Sequence, residues 1–90
     1  MRPKTIHSGL FKKVLIANRG EIALRVMRAL QSLEIKSLAI YHACEWQSPI
    51  VKQADEAAEI FADNPAAAYL DIDQIVDLCR QYGADALHPG

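Results

Sequence analysis

The chain has 90 residues, 10 Lys and Arg against 11 Asp and Glu, a formal charge of -1, 51% hydrophobic and 23% charged residues. That leaves room for one domain with one core and excludes a low-complexity or disordered chain. No apolar run approaches the roughly 18 residues of a membrane span, so no transmembrane helix is expected, and the basic opening MRPKTIHSGLFKK leads into no continuous apolar stretch and does not read as a secretory signal.

Residues 1–10 read as a flexible leader, and 11–90 as the domain. The short apolar run Val14-Leu-Ile-Ala17, opened by Lys13, reads as a strand covered on both faces. After Gly20 the period changes to that of a helix. Ile22, Ala23, Val26, Ala29, Leu30 and Leu33 are expected on its buried face, and Arg25, Arg28, Gln31 and Ser32 on the other. Glu21 stands in the first turn, where the helix dipole favours a carboxylate, four residues before Arg25. Residues 36–41 read as a second strand. The loop HACEWQS follows, and Ser48-Pro49 reads as an N-cap with proline at the first position of a short helix over 49–54. Residues 56–61 form an expected third strand, Asp63-Asn64-Pro65 a turn.

The second long helix is expected over 71–82. Asp71 caps it, Gln74 stands three residues on as in a capping box, and Gly83 supplies a left-handed stop. Its expected buried stripe is Ile72, Ile75, Val76, Cys79 and Tyr82. Residues 84–88 begin a fourth strand before Pro89-Gly90. Strands alternating with helices imply right-handed crossovers and a parallel sheet of about four strands, in a Rossmann-like three-layer αβα arrangement.

A strand, a glycine turn and a helix are also the parts of a phosphate-binding loop. The dinucleotide fingerprint needs three glycines and the P-loop a Gly-Lys-Ser/Thr ending; Asn18-Arg19-Gly20 has neither. Free N–H groups at the helix start, with Arg19 beside them, attract an anion, but Glu21 competes at the same end. The turn is therefore not a self-sufficient nucleotide site. Charge is unevenly spread: eight Lys and Arg against two acids up to residue 40, two against nine from there on. The basic residues are scattered over leader, turn and helix with no interleaved aromatics, so nucleic acid is not an expected partner. Cys44 and Cys79 lie far apart with no CxxC or metal spacing, as in reduced thiols of a cytoplasmic protein.

FKKVLIANRGEIALRVMRAL resembles the opening of the biotin carboxylase component of biotin-dependent carboxylases, which include acyl-CoA carboxylases and pyruvate carboxylase. Ala54-Asp55-Glu56-Ala57, Tyr69-Leu70 and Gly83-Ala-Asp-Ala-Leu-His-Pro-Gly90 follow in the family's order and spacing. The resemblance implies the N-terminal lobe of an ATP-grasp ligase. Such an enzyme uses ATP, magnesium and bicarbonate to carboxylate biotin held on a carrier domain. Its catalytic and metal-binding residues lie downstream of the H-P-G turn, so no catalytic, cofactor-binding or metal-ligating residue carries over, and this chain alone is expected to be inactive. Implied partners are the remaining ATP-grasp lobes, the biotin carrier domain, the carboxyltransferase and a second copy in a homodimer.

The strand-end rule for open α/β sheets makes Asn18, Arg19, Gly20, His88, Pro89 and Gly90 the candidate cleft-lining residues. Arg25 and Arg28 form an exposed basic edge and are the candidate interface, since this helix lies near a dimer contact in the family. His42 shows no partner in the sequence; Trp46 reads as either a lid over the core or a contact surface. Asp55, Glu56 and Glu59 read as a charged strand edge rather than a metal site.

Four positions depart from the family pattern. Glu34 and Ala62 stand where glycine is usual, Ile50 where histidine is common, and Ala43-Cys44-Glu45 where Glu-Ala-Asp is frequent. A left-handed Glu34 costs about 1 kcal/mol relative to glycine. Its charge at the negative helix end adds about 0.3–1 kcal/mol. Two other readings remain: a stand-alone α/β module binding an anion or nucleotide at the Gly20 turn, or an interaction module that self-associates through a strand edge at 86–88.

Overall fold

The computed structural model describes residues 11–88; the leader 1–10 and Pro89-Gly90 lie outside the described residues. Nine elements follow one another. They are β1 (Lys13–Ile16), α1 (Gly20–Ser32), β2 (Lys36–Tyr41), a 3-10 turn (Ala43–Glu45), α2 (Pro49–Gln53), β3 (Glu56–Glu59), α3 (Pro65–Ala68), α4 (Ile72–Tyr82) and β4 (Ala86–His88). The four strands form one sheet in the order β3-β2-β1-β4, every pair parallel. The expected α/β class and three-layer arrangement are present.

The pleat of β1 explains why its sequence is apolar without alternation. Val14 and Ile16 face one layer with Ala39, where α1 and α2 pack through Ala23, Met27, Leu30 and Ile50. Leu15 and Ala17 face the other with Leu38, Ile40 and Ala58, where α3 and α4 pack through Ala68 and Ile75. A strand between two helical layers has no solvent face to keep polar. Leu15 and Leu38 are fully buried, and each such leucine contributes about 1.5–3 kcal/mol by leaving water.

The buried stripe of α1 differs from the expected one. It runs Ala23, Met27, Leu30, while Ile22 is 56% and Leu33 39% exposed, and Ala29 also faces solvent. Met27, unbranched and polarisable, is buried over the sheet in their place. In α4 only Ile75 is fully buried; Ile72, in the first turn, is 60% exposed. Glu21 and Arg25 do not close to an ion pair among the described residues.

Both long helices end in the same motif. After α1, Ile35 N–H bonds Leu30 O at 2.9 Å and Glu34 N–H bonds Gln31 O at 3.0 Å; after α4, Ala84 N–H bonds Cys79 O at 2.8 Å and Gly83 N–H bonds Arg80 O at 3.4 Å. This is the Schellman arrangement, which needs a left-handed residue. Gly83 supplies it at φ 69° and Glu34 at φ 61°. Glu34 thus carries the strain anticipated from its side chain. Ala62 does not: among the described residues Glu34 is the only non-glycine with positive φ.

Local caps depart from expectation at two places. Asp71 accepts from Gln74 N–H at 3.1 Å as predicted, but the Gln74 amide turns away from the cap backbone. Its Oε1 accepts from Phe61 N–H at 2.7 Å and its Nε2 donates to Phe61 O at 2.9 Å, pinning the chain just past β3 to α4. Ser48 precedes Pro49 as expected, yet its hydroxyl makes no cap bond and is buried without a partner among the described residues. Asn64, in the expected turn, caps the unforeseen α3 by accepting from Ala67 N–H at 2.9 Å.

Candidate functional site

The chain runs β1 to β2 to β3 outward on one side, then returns to place β4 against the other side of β1. The switch point therefore lies between the carboxyl ends of β1 and β4, the crevice where open α/β sheets bind their ligands. Asn18 follows β1 and His88 ends β4. Their side chains meet there, His88 Nδ1 donating to Asn18 Oδ1 at 2.9 Å. Below them Ala17 N–H bonds His88 O at 3.0 Å. Asn18 and His88, 70 residues apart in sequence, are thus brought together at this edge. Gly20 opens α1 at φ 60° and keeps the helix start free of side-chain bulk. Pro89 and Gly90 lie outside the described residues.

Arg19 goes elsewhere. Its Nε and Nη2 donate to Glu45 Oε2 at 3.0 and 2.9 Å, and its guanidinium lies over the Tyr69 ring at 5.5 Å from the centroid. It is not presented to an anion at the helix start, so the anion-binding reading of this turn loses its cation. Arg25 and Arg28 are exposed on the outer face of α1.

Glu45 is the hub of this edge. Besides Arg19 it accepts Tyr69 OH at 3.0 Å and His42 N–H at 3.2 Å on Oε1. Tyr69 OH also reaches Ile40 O at 3.1 Å, near the end of β2. Burial first, then the Glu45 carboxylate, push the Tyr69 hydroxyl well above its ordinary titration range; Arg19 opposes them weakly. Glu45, Tyr69 and Arg19 thus tie the loops after β1, β2 and β3 together. Sequence reading did not find Glu45 or Tyr69 as a pair. The available signal was that Glu45 keeps an acid where the resembled family usually has one.

His42, without a visible partner in the sequence, has two here. Its Nε2 meets Ala62 O at 2.8 Å and its Nδ1 meets Cys44 N–H at 3.3 Å and Cys44 Sγ at 3.2 Å. Trp46 is 60% exposed and does not close over the core. Ile50 is buried against α1, an apolar substitute for the histidine common in the family.

The opposite edge of the sheet is built differently. Asp85 accepts from Lys12 and Lys13 N–H at 2.7 and 3.1 Å, which holds its carboxyl below the usual range. Asp55 accepts from Ser37 N–H and Oγ at 2.8 and 3.2 Å, and Lys13 Nζ spans Tyr82 O at 2.6 Å and Glu56 at 2.7 Å. Of the acids read as a charged strand edge, Asp55 and Glu56 are therefore already paired. No group of three or more His, Cys, Asp or Glu side chains able to hold a metal ion occurs among the described residues. Nor is any helix among them long and apolar enough to cross a membrane.

A parallel αβα sheet with Asn18 and His88 meeting at a carboxyl-edge switch point defines a Rossmann-like lobe. The family described as biotin carboxylase, N-terminal domain, matches residues 10–90, and the chain belongs to that family. It is 51% identical over 81 residues to a biotin carboxylase of Halalkalibacterium halodurans, covering 90% of this chain and 18% of that protein. It is similar in structure to the biotin carboxylase domain of 2-oxoglutarate carboxylase from Hydrogenobacter thermophilus, a dimer in complex with MgADP, ADP and bicarbonate. There the TM-score is 0.85 and the identity 52%, over 90% of this chain and 18% of that one. Kluyveromyces lactis urea carboxylase gives a TM-score of 0.83 at 44% identity, over 89% of this chain and 7% of that one. The chain thus spans less than a fifth of the length of these relatives.

Proposed function

We propose that this chain serves as the N-terminal lobe of a biotin carboxylase, one wall of a cleft in which ATP, magnesium and bicarbonate carboxylate carrier-bound biotin for an acyl-CoA or pyruvate carboxylase. The observation that carries this is the family match over 10–90 together with the Asn18–His88 pair at the switch point. Asn18, Gly20 and His88 line the wall. Arg19, paired to Glu45 and Tyr69, acts behind it by fixing the loops that shape the crevice. Arg25 and Arg28 form a contact with a second copy, supported by the dimer of the Hydrogenobacter relative.

The described residues do not fit the magnesium nucleotide by themselves: no carboxylate group of the needed kind gathers at the crevice. What this chain contributes is shape and hydrogen-bonding capacity. Asn18 orients the His88 ring by accepting its Nδ1–H. The ATP-grasp lobes supply the phosphate grip, and the carrier and carboxyltransferase the substrate.

The test is reconstitution. A relative's biotin carboxylase lacking its own N-terminal lobe is mixed with this chain, and bicarbonate-dependent ATP turnover on free biotin is measured. Turnover is expected in the mixture and absent from either part alone. Turnover by this chain unaided, or none in the mixture despite a stable complex, rejects the reading.

A further inference from the structure

The loop after β2 holds a nucleophile, a base and an orienting group that the cleft-wall role does not use. Cys44 is exposed, and its Sγ lies 3.2 Å from His42 Nδ1. His42 Nε2 is 2.8 Å from Ala62 O. A carbonyl oxygen only accepts, so Nε2 carries the ring proton. Cys44 N–H, at 3.3 Å from Nδ1, only donates, so Nδ1 offers its lone pair. The same lone pair faces the sulfur. A thiol within reach of a base, with that base fixed by a third group, is the geometric signature of an activated nucleophile. Cys79 provides the contrast: it is half-buried against the second core cluster, where burial pushes its thiol up, and no histidine attends it among the described residues.

The geometry points to Cys44 as a modification site, a His42-assisted thiol that reacts with small hydroperoxides. His42 Nδ1 takes the proton of the thiol, and the sulfur attacks the terminal peroxide oxygen. The S–O bond forms as the O–O bond breaks. The departing hydroxide or alkoxide takes the proton back from the imidazolium and leaves as water or an alcohol. Sulfur is oxidised by two electrons to a sulfenic acid and the peroxide is reduced by two. The added oxygen stands between sulfur and ring, so His42 no longer accepts Cys44 N–H. That bond caps the 3-10 turn carrying Glu45, so oxidation loosens the hub that holds Arg19 and Tyr69. Cys44 is thereby an oxidant-sensitive latch on this edge of the lobe.

The experiment treats the whole chain with hydrogen peroxide, traps sulfenic acid with dimedone, and maps the adduct by peptide mass spectrometry. Both cysteines report in the same molecule. Cys44 is expected to label about tenfold faster than Cys79, and about tenfold faster folded than in the urea-unfolded chain. His42→Gln is expected to slow Cys44 labelling at least about fivefold. Emission of Trp46, two residues from the sulfur, is expected to shift on oxidation in the unaltered chain and not in Cys44→Ser. Equal rates for Cys44 in the folded and unfolded chain, or an unchanged rate in a folded His42→Gln, overturn the proposal. If that variant does not fold, the folded-to-unfolded comparison on the unaltered chain decides alone.

Discussion

The two edges of the sheet use polar side chains in opposite ways. At the amino edge the acids terminate backbone: Asp85 takes two N–H groups of β1's approach and Asp55 takes the Ser37 N–H and hydroxyl. The connections there, residues 33–35, 54–55 and 83–85, are short and sealed by caps. At the carboxyl edge side chains bind mainly one another, Arg19 to Glu45 to Tyr69 and His88 to Asn18, across longer loops. An edge whose polar groups close on the backbone has nothing left to offer a ligand. An edge whose polar groups close on each other can exchange those partners. The fold places backbone closure at one end and exchangeable side-chain pairs at the other.

That contrast can be broken or sharpened by substitution. The largest effect is expected from Ser37→Ala at the amino edge, because Ser37 is fully buried and its Oγ also accepts Asp55 N–H at 3.1 Å. A loss of about 1–3 kcal/mol in urea unfolding follows from leaving that donor unpaired. At the carboxyl edge Glu45→Ala, although it removes three partners, is expected to cost only about 1–2 kcal/mol, because the Arg19 side chain is half exposed and Tyr69 keeps Ile40 O. A larger cost there than at Ser37 contradicts the division. Glu34→Gly is expected to stabilise by about 1 kcal/mol through relief of the left-handed strain. Gly83→Ala is expected to cost about as much, with no steric share, since an added Cβ meets nothing within 4 Å.

The smallest effects are in pH, and they separate the edges cleanly. Asp85 titrates lower in the folded chain than its ordinary value near 3.8, so it contributes stability above that value that is lost as pH falls through the folded one. Asp85→Asn flattens the acid limb. Tyr69 titrates higher in the folded chain than its ordinary 10.0, so its contribution is complete below that value and lost as pH rises beyond it. Tyr69→Phe flattens the alkaline limb and leaves the acid one alone. Thermal melts across pH read both; a Tyr69→Phe effect in acid refutes the assignment.

Most of the fold was legible because it rests on local signals. Asp71, Gly83, the Ser48-Pro49 step and the unbroken apolar run of β1 each announce their element within a few residues. The register of α1 was less so. Ile22 and Leu33 satisfy a helical period as well as Met27 does, and only the sheet decides which side is covered. In the candidate site, Asn18, Arg19, Gly20 and His88 came from the strand-end rule. The roles of Glu45, Tyr69 and His42 did not, because they depend on contacts spanning 20 to 26 residues between loops whose shapes follow from the assembled sheet. Glu34 was legible as strain for the converse reason: a helix end announces its need for a left-handed residue whatever surrounds it.

The strand order has a kinetic consequence. Of the described strands β1 leaves the ribosome first, and one of its two neighbours, β4, follows 72 residues later. Until then the inner strand exposes a flank of unsatisfied amides with Leu15 half covered, and every alternative pairing competes for it. Long sequence separation between partners slows folding. The lobe therefore stays an unfinished sheet, open along β1, for the whole of that interval.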